Sequence, residues 1–254
     1  LAQSPNFKPA HIYLGRVYGH FAVQTEDGKI LDEAITHFLK ASLLDPADPE
    51  SLFHMGRLYM DVKKYSAAED QFEKVIKLNE NYPLIHYYIG SANFLQGGKD
   101  NLERALKAGK IETQKNPNLA GAYILLGKIH KTKAEKETTP REKRVQFELC
   151  KQEYQKAVRL RPKDVSLYIS LVSCYVGSGE TDSALQIIKQ FVKGEGTSGY
   201  AELYQLQGKI YEMKGDYQSA GVAYERYFGL NPGAPDRGQI ENRLKPYYQF
   251  KKDP

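Results

Sequence analysis

The stretch from Pro49 to Tyr82 constrains this chain more than any other. It reads PESLFHMGRLYMDVKKYSAAEDQFEKVIKLNENY and is 34 residues long. Leu52, Met55, Gly56 and Tyr59 recur at i, i+3, i+4 and i+7, which puts them on one face of a helix. Lys63, Lys64 and Tyr65 break that pattern, and Ala68, Phe72, Val75 and Ile76 begin a second helical stripe. Two short amphipathic helices cannot bury their apolar faces alone, so a stretch like this needs copies of itself to stack on.

The rest of the chain supplies the copies. Leu14, Gly15 and Tyr18, then Ala34, Phe38, Ala41 and Pro46, repeat the pattern upstream. Tyr18 and Ala34 are sixteen residues apart, against nine for Tyr59 and Ala68, so about seven extra residues are expected as a polar surface loop near Gln24–Lys29. Downstream, Ile89 and Gly90 fit, but Asn93 replaces an aromatic and Gly109 stands where a ring belongs. The helix from about Lys99 to Gln114 is therefore expected to be loosely packed or closely approached by a neighbour. Leu126 and Gly127 open a fourth copy closed by Tyr154, Ala157 and Pro162. Gly127 to Cys150 spans 23 residues where Gly56 to Ala68 spans 12, so eleven have been added. Thr139-Pro140-Arg141-Glu142 reads as a helix start, with a Thr cap, Pro in the first turn and Glu three residues on. Both helices are thus expected to be long, forming a projecting hairpin with its tip near Thr138. Leu171, Tyr175, Ala184 and Ile188 make a fifth copy, and Tyr204, Gly208, Tyr211, Ala220, Tyr224 and Pro232 a sixth. A last amphipathic helix carries Ile240 and Leu244, and Tyr247, Tyr248 and Phe250 form a tail that fits no copy.

This pattern resembles the tetratricopeptide repeat, a helix–turn–helix unit of 34 residues. The resemblance rests on Gly56 between Met55 and Tyr59, then Ala68 and Phe72, and on the five further matches. It implies an all-α fold: a right-handed superhelical solenoid of about six repeats, at residues 8–48, 49–82, 83–119, 120–164, 165–200 and 201–234. A capping helix at 235–246 would keep the end of the array soluble. Residues 1–7 and 247–254 are left as tails. By repeat number and size the chain is also similar to the pilotin-like proteins of bacterial type IV pili. A chain beginning at Leu1 rather than Met is expected to have lost a leader or to continue a longer protein. The bacterial cytoplasm and periplasm both stay open as locations.

The sequence offers little for catalysis. Gly194, Gly196 and Gly199 spell G-x-G-x-x-G, but the motif binds dinucleotides only after a strand, and here it joins two helical repeats. His11, His20, His37, His54, His86 and His130 include no i, i+4 pair and no H-E-x-x-H. Neither a P-loop nor a G-x-S-x-G elbow occurs. No enzyme, cofactor or metal is expected. The longest apolar run, Leu119 to Gly127, falls well short of the ~20 residues a membrane span needs. Two cysteines exclude a disulfide scaffold or a four-cysteine metal site. Cys150 and Cys174 lie twelve residues either side of Pro162, at the same height on neighbouring helices. Helix axes at ~8–10 Å make two buried free thiols the expectation.

Charge is uneven. Residues 120–164 hold twelve Lys and Arg against six Asp and Glu, a net of +6, whereas the whole chain is +5. The surplus thus sits on the fourth repeat, with Lys133, Lys136, Arg141, Lys143 and Arg144 at its extended hairpin. An anionic partner or plain solubility would each explain it. Interspersed glutamates, and no aromatic interleaved with the hairpin cations until Phe147, argue against nucleic acid.

In tetratricopeptide proteins the first helix of each repeat lines a concave groove that holds peptides or partner helices. Matching first helices places Ile12, Arg16, Phe53, Arg57, Met60, Tyr87, Ser91, Phe94, Ile124, Lys128 and Lys131 along such a groove. Later first helices would add Ile169, Ser173, Val176, Gln205 and Lys209. Phe53, Met60, Tyr87 and Phe94 lie off their helices' packing stripes, and exposed aromatic and Met side chains mark binding sites. Chaperone-binding members clamp carboxylates with Lys and Asn. Here Ile12 and Phe53 take the Lys places and Arg16 and Arg57 the Asn places, which argues against a chaperone co-factor. The function expected is a monomeric, non-enzymatic adaptor that binds a protein or peptide in its groove, in envelope, pilus or polarity assembly. The alternatives are an anionic-membrane or nucleic-acid binder acting through the hairpin, or the regulatory module of a longer enzyme.

Overall fold

The computed structural model describes residues 6–194 and 200–250, and all regular secondary structure among them is helical. The chain forms two compact units, one ending at Ile129 and the next beginning at His130.

The first unit holds α1 (Lys8–Thr25), α2 (Gly28–Leu44), α3 (Glu50–Asp61), α4 (Tyr65–Leu78), α5 (Ile85–Gln96), α6 (Lys99–Lys115) and the start of α7 (Ala120–Lys136). One steric device recurs within its helical hairpins. A glycine on the first helix receives a ring from the second. A Cβ on Gly15 would sit 2.7 Å from the Phe38 ring, and one on Gly56 would sit 2.5 Å from that of Phe72. Phe38 and Phe72 are almost wholly buried as a result. The third hairpin reverses the pairing. Gly109 on the second helix gives room to Leu126 of α7, which a Cβ would meet at 2.7 Å. Of the two expectations for α6, close approach by a neighbour is the one realised.

The extra residues of the first repeat do not form a loop. They lengthen α1 to 18 residues and α2 to 17, and only Glu26 and Asp27 separate the two helices. Glu26 adopts the left-handed conformation (φ 54°) that ends α1, and the Asp27 carboxylate accepts the Lys29 N–H at 2.8 Å to start α2. A capped helix satisfies the added backbone groups internally, which a loop of the same length does not.

The second unit continues α7 and adds α8 (Pro140–Leu160), α9 (Val165–Gly177), α10 (Thr181–Gly194), α11 (Ala201–Met213), α12 (Tyr217–Leu230) and α13 (Arg237–Leu244). The eleven added residues of the fourth repeat go into helix as well, giving α7 17 and α8 21 residues with a turn at 137–139. Thr139 Oγ1 accepts the Glu142 N–H at 3.3 Å and caps α8 as its sequence implies. Gly208 receives the Tyr224 ring in the same way as Gly15 and Gly56 receive theirs. The terminal tail is packed: Tyr248 lies over Gly221, Tyr247 stacks on Tyr217 at 4.1 Å, and Phe250 meets Phe228 at 6.0 Å. These rings extend the cover that α13 gives the last hairpin through Ile240 and Leu244.

Cys150 on α8 and Cys174 on α9 are joined in a disulfide, not left as free thiols. Their Cα atoms are 6.0 Å apart and both side chains are wholly buried. Axis spacing alone does not decide whether two cysteines can be bridged. Facing Cα atoms stand nearer to each other than the helix axes do, and 6.0 Å is inside the range that a disulfide bridges. The G-x-G-x-x-G stretch falls at 194–199, and its last five residues lie outside those described.

Candidate functional site

The first helices of the first unit wall two adjoining clefts. One, of about 310 Å³, lies between α3, α5 and the start of α7, and is lined by Arg57, Met60, Tyr87, Ser91, Phe94, Ile124 and Lys128 among others. The second, of about 290 Å³, lies between α1 and α3 and is lined by Arg16, His20, His54 and Arg57. Arg57 and Asp61 border both, so the two adjoin at these residues. Small residues on the walls leave the space open. Gly121 faces the edge of the Tyr87 ring, which a Cβ would meet at 3.3 Å, and Gly19 faces Leu58 at 3.1 Å.

The two halves differ in chemistry. Tyr87, Phe94 and Ile124 are half-buried and give the first cleft an apolar wall. Arg16 and His20 are exposed in the second, with His54 half-buried beside them. The Arg57 guanidinium stands 5.9 Å over the Tyr88 ring, a cation–π contact that steadies it without neutralising it. Burial, then the positive charge of Arg16, holds the His54 imidazole below its ordinary pKa, against the opposing pull of Glu50.

Two residues expected in the groove are used elsewhere. Ile12 is 6% exposed and belongs to the core. Phe53 does not line the clefts. Its ring packs on Tyr82 at 4.9 Å, Tyr88 at 5.0 Å and Phe72 at 6.0 Å. Position on a helical wheel shows which way Phe53 leaves its own helix, but not that Tyr82, at the end of its own repeat, and Tyr88 of the next are there to meet it. Lys131 lies in the second unit, as do the hairpin cations. Lys136, Arg141, Lys143 and Arg144 are exposed there and Lys133 is half-buried.

The structure adds residues that the sequence reading missed. Helix α5 starts after Leu84, which has a left-handed backbone and offers no side-chain cap. The missing acceptor comes from α6: Glu112, 1% exposed, accepts the Tyr87 backbone N–H at 3.0 Å and is held by Asn116. Buried Glu69 of α4 does related work, accepting from Asn93 at 2.7 Å and from Arg104 at 3.0 Å. Asn93, the odd residue of the third repeat, thus tethers α5 to α4. Both carboxylates fix the helix that carries Tyr87, Ser91 and Phe94. The available signal was a Glu on the buried stripe Ala105, Ala108, Gly109, Glu112. His11 and His37 meet through their Nδ1 atoms at 2.9 Å, a contact between helices that spacing along the chain does not reveal. Among the described residues no three His, Cys, Asp or Glu are grouped to hold a metal, and no helix is long and apolar enough to cross a membrane.

Comparison with known proteins bears on the fold. Residues 84–245 match the model of the CadC C-terminal domain family, and residues 56–97 match a tetratricopeptide-repeat model. The TPR repeat-containing protein YpiA of Bacillus subtilis (strain 168) is 25% identical over 194 residues, covering 72% of this chain and 41% of YpiA. The chain spans less than half the length of the curated relatives it matches. Among solved structures, PilF of Pseudomonas aeruginosa has a TM-score of 0.62 at 16% identity, covering 93% of this chain and 99% of PilF. YrrB, described as a TPR protein with an unusual peptide-binding site, also scores 0.62, at 17% identity, covering 82% of this chain and 97% of YrrB. At these identities the likeness is one of fold.

Proposed function

The chain belongs to the CadC C-terminal domain family and is a tetratricopeptide-repeat protein, and from that premise we propose that it is a non-enzymatic adaptor holding a segment of a partner protein in the cleft of its first unit. The observation that carries this reading is the open cleft of about 310 Å³ into which α3, α5 and α7 turn Met60, Tyr87, Phe94 and Ile124. Half-buried apolar side chains on a concave surface fit burial by a ligand, and covering what each still exposes contributes on the order of 1 kcal/mol. The peptide-binding site named for YrrB agrees with such a use of the fold.

Panning a displayed peptide library on the full chain tests this. Ile124→Ala and Ser91→Gln should each weaken the selected peptides about tenfold or more while the melting temperature barely moves. Unchanged binding by both variants would refute the assignment.

The buried Cys150–Cys174 disulfide supports a second element of the proposal, residence in a compartment that sustains disulfides. Alkylation in intact cells that traps both thiols would overturn it.

A further inference from the structure

We propose that the segment held in the cleft is acidic and apolar at once: a large apolar or aromatic side chain seats against Tyr87, Phe94 and Ile124, and neighbouring side-chain carboxylates lie against Arg57 and Arg16. This rests on the cleft reading above and adds the chemistry of the ligand.

Three observations carry it. First, the apolar and the cationic cleft meet at Arg57 and Asp61, which line both, so a short segment laid along this trough reaches each. Second, the trough has more positive charge than it neutralises. Arg16, Arg57 and Lys128 line it, and among the described residues none of the three is in an ion pair. An exposed guanidinium on a concave wall gains most from a carboxylate that it can hold through two parallel N–H donors. Third, Asp61, which like Arg57 lines both clefts, is the one carboxylate in either lining, so the three cations keep a surplus that an acidic ligand complements.

The test uses random dodecapeptides displayed through their C-termini, so that no free terminal carboxylate is offered, panned on the full chain at physiological salt. The selected peptides should pair an aromatic or large aliphatic residue with two or more Asp or Glu nearby. As amidated synthetic peptides they should bind the Arg16→Gln/Arg57→Gln variant about tenfold more weakly. Changing the peptide acids to Asn and Gln should cost as much, with no further loss on the double variant, since the same contacts are being removed. Lys143→Gln/Arg144→Gln, which lowers net charge equally on the hairpin of the second unit, should leave affinity unchanged. Peptides that lose affinity on Ile124→Ala but are neutral or basic would overturn this inference and leave the cleft reading standing. An equal loss on the hairpin variant would do the same. Failure to select any peptide, or peptides indifferent to Ile124→Ala, would overturn both.

Discussion

Removing the Glu112 carboxylate should unfasten the first turn of α5. In the native protein this side chain is 1% exposed and takes the Tyr87 N–H at 3.0 Å, at a helix start where Leu84 supplies no cap. A hydrogen bond to a charged group contributes about 1.5–3 kcal/mol, and leaving the buried N–H unpaired forfeits that and the desolvation of the donor. A carboxylate at a partly buried helix N-terminus gains up to about 2 kcal/mol from the backbone dipoles, which overlaps with the same bond. Glu112→Ala also orphans the Asn116 amide and leaves a cavity. We expect a loss of roughly 3–4 kcal/mol for Glu112→Ala. Glu112→Gln keeps the shape and one acceptor and should lose about 1–2 kcal/mol. Urea unfolding followed by far-ultraviolet circular dichroism measures both. Affinity for a cleft-binding peptide should fall in parallel, because α5 carries Tyr87, Ser91 and Phe94. An Ala variant within about 1 kcal/mol of the parent would refute the reasoning, as would a Gln variant as unstable as the Ala variant.

Other consequences are equally specific. Reducing the Cys150–Cys174 bond, which closes a loop with a sequence separation of 24, should cost about 3.5 kcal/mol on the chain-entropy estimate, seen as a lower urea midpoint in reductant. Gly56→Ala places a methyl against the Phe72 ring and should destabilise by about 1–3 kcal/mol, with partial rescue by Phe72→Leu. His54 should titrate below 6.5 by NMR, and Arg57→Gln should raise its midpoint by removing a nearby positive charge. Because its folded pKa is depressed, His54 contributes stability above 6.5 that is lost as pH falls toward the folded value, and the Arg57→Gln variant should narrow that window.

The repeated spacing of Gly, Ala and aromatic residues determined the fold by itself. Gly15 with Phe38, Gly56 with Phe72 and Gly208 with Tyr224 are pairs within single hairpins, and a hairpin's two helices are linked by a short stretch of chain. Local periodicity suffices to read them. The same holds for the Thr139 cap of α8, whose partner Glu142 is three residues away. Where the cleft would lie was also legible, because Arg57, Tyr87, Ser91, Phe94, Ile124 and Lys128 come from successive first helices. What spacing could not supply was the distance between groups far apart along the chain. That distance decided that Phe53 packs on Tyr82 and Tyr88, and that Cys150 and Cys174 are bonded. It also decided that Glu112, Glu69 and Asn93 are partnered in the interior. Burial of a polar group is tolerated only when its partner arrives from elsewhere in the fold, so a Glu on an apolar stripe acquires its meaning only once the neighbouring helix is in place.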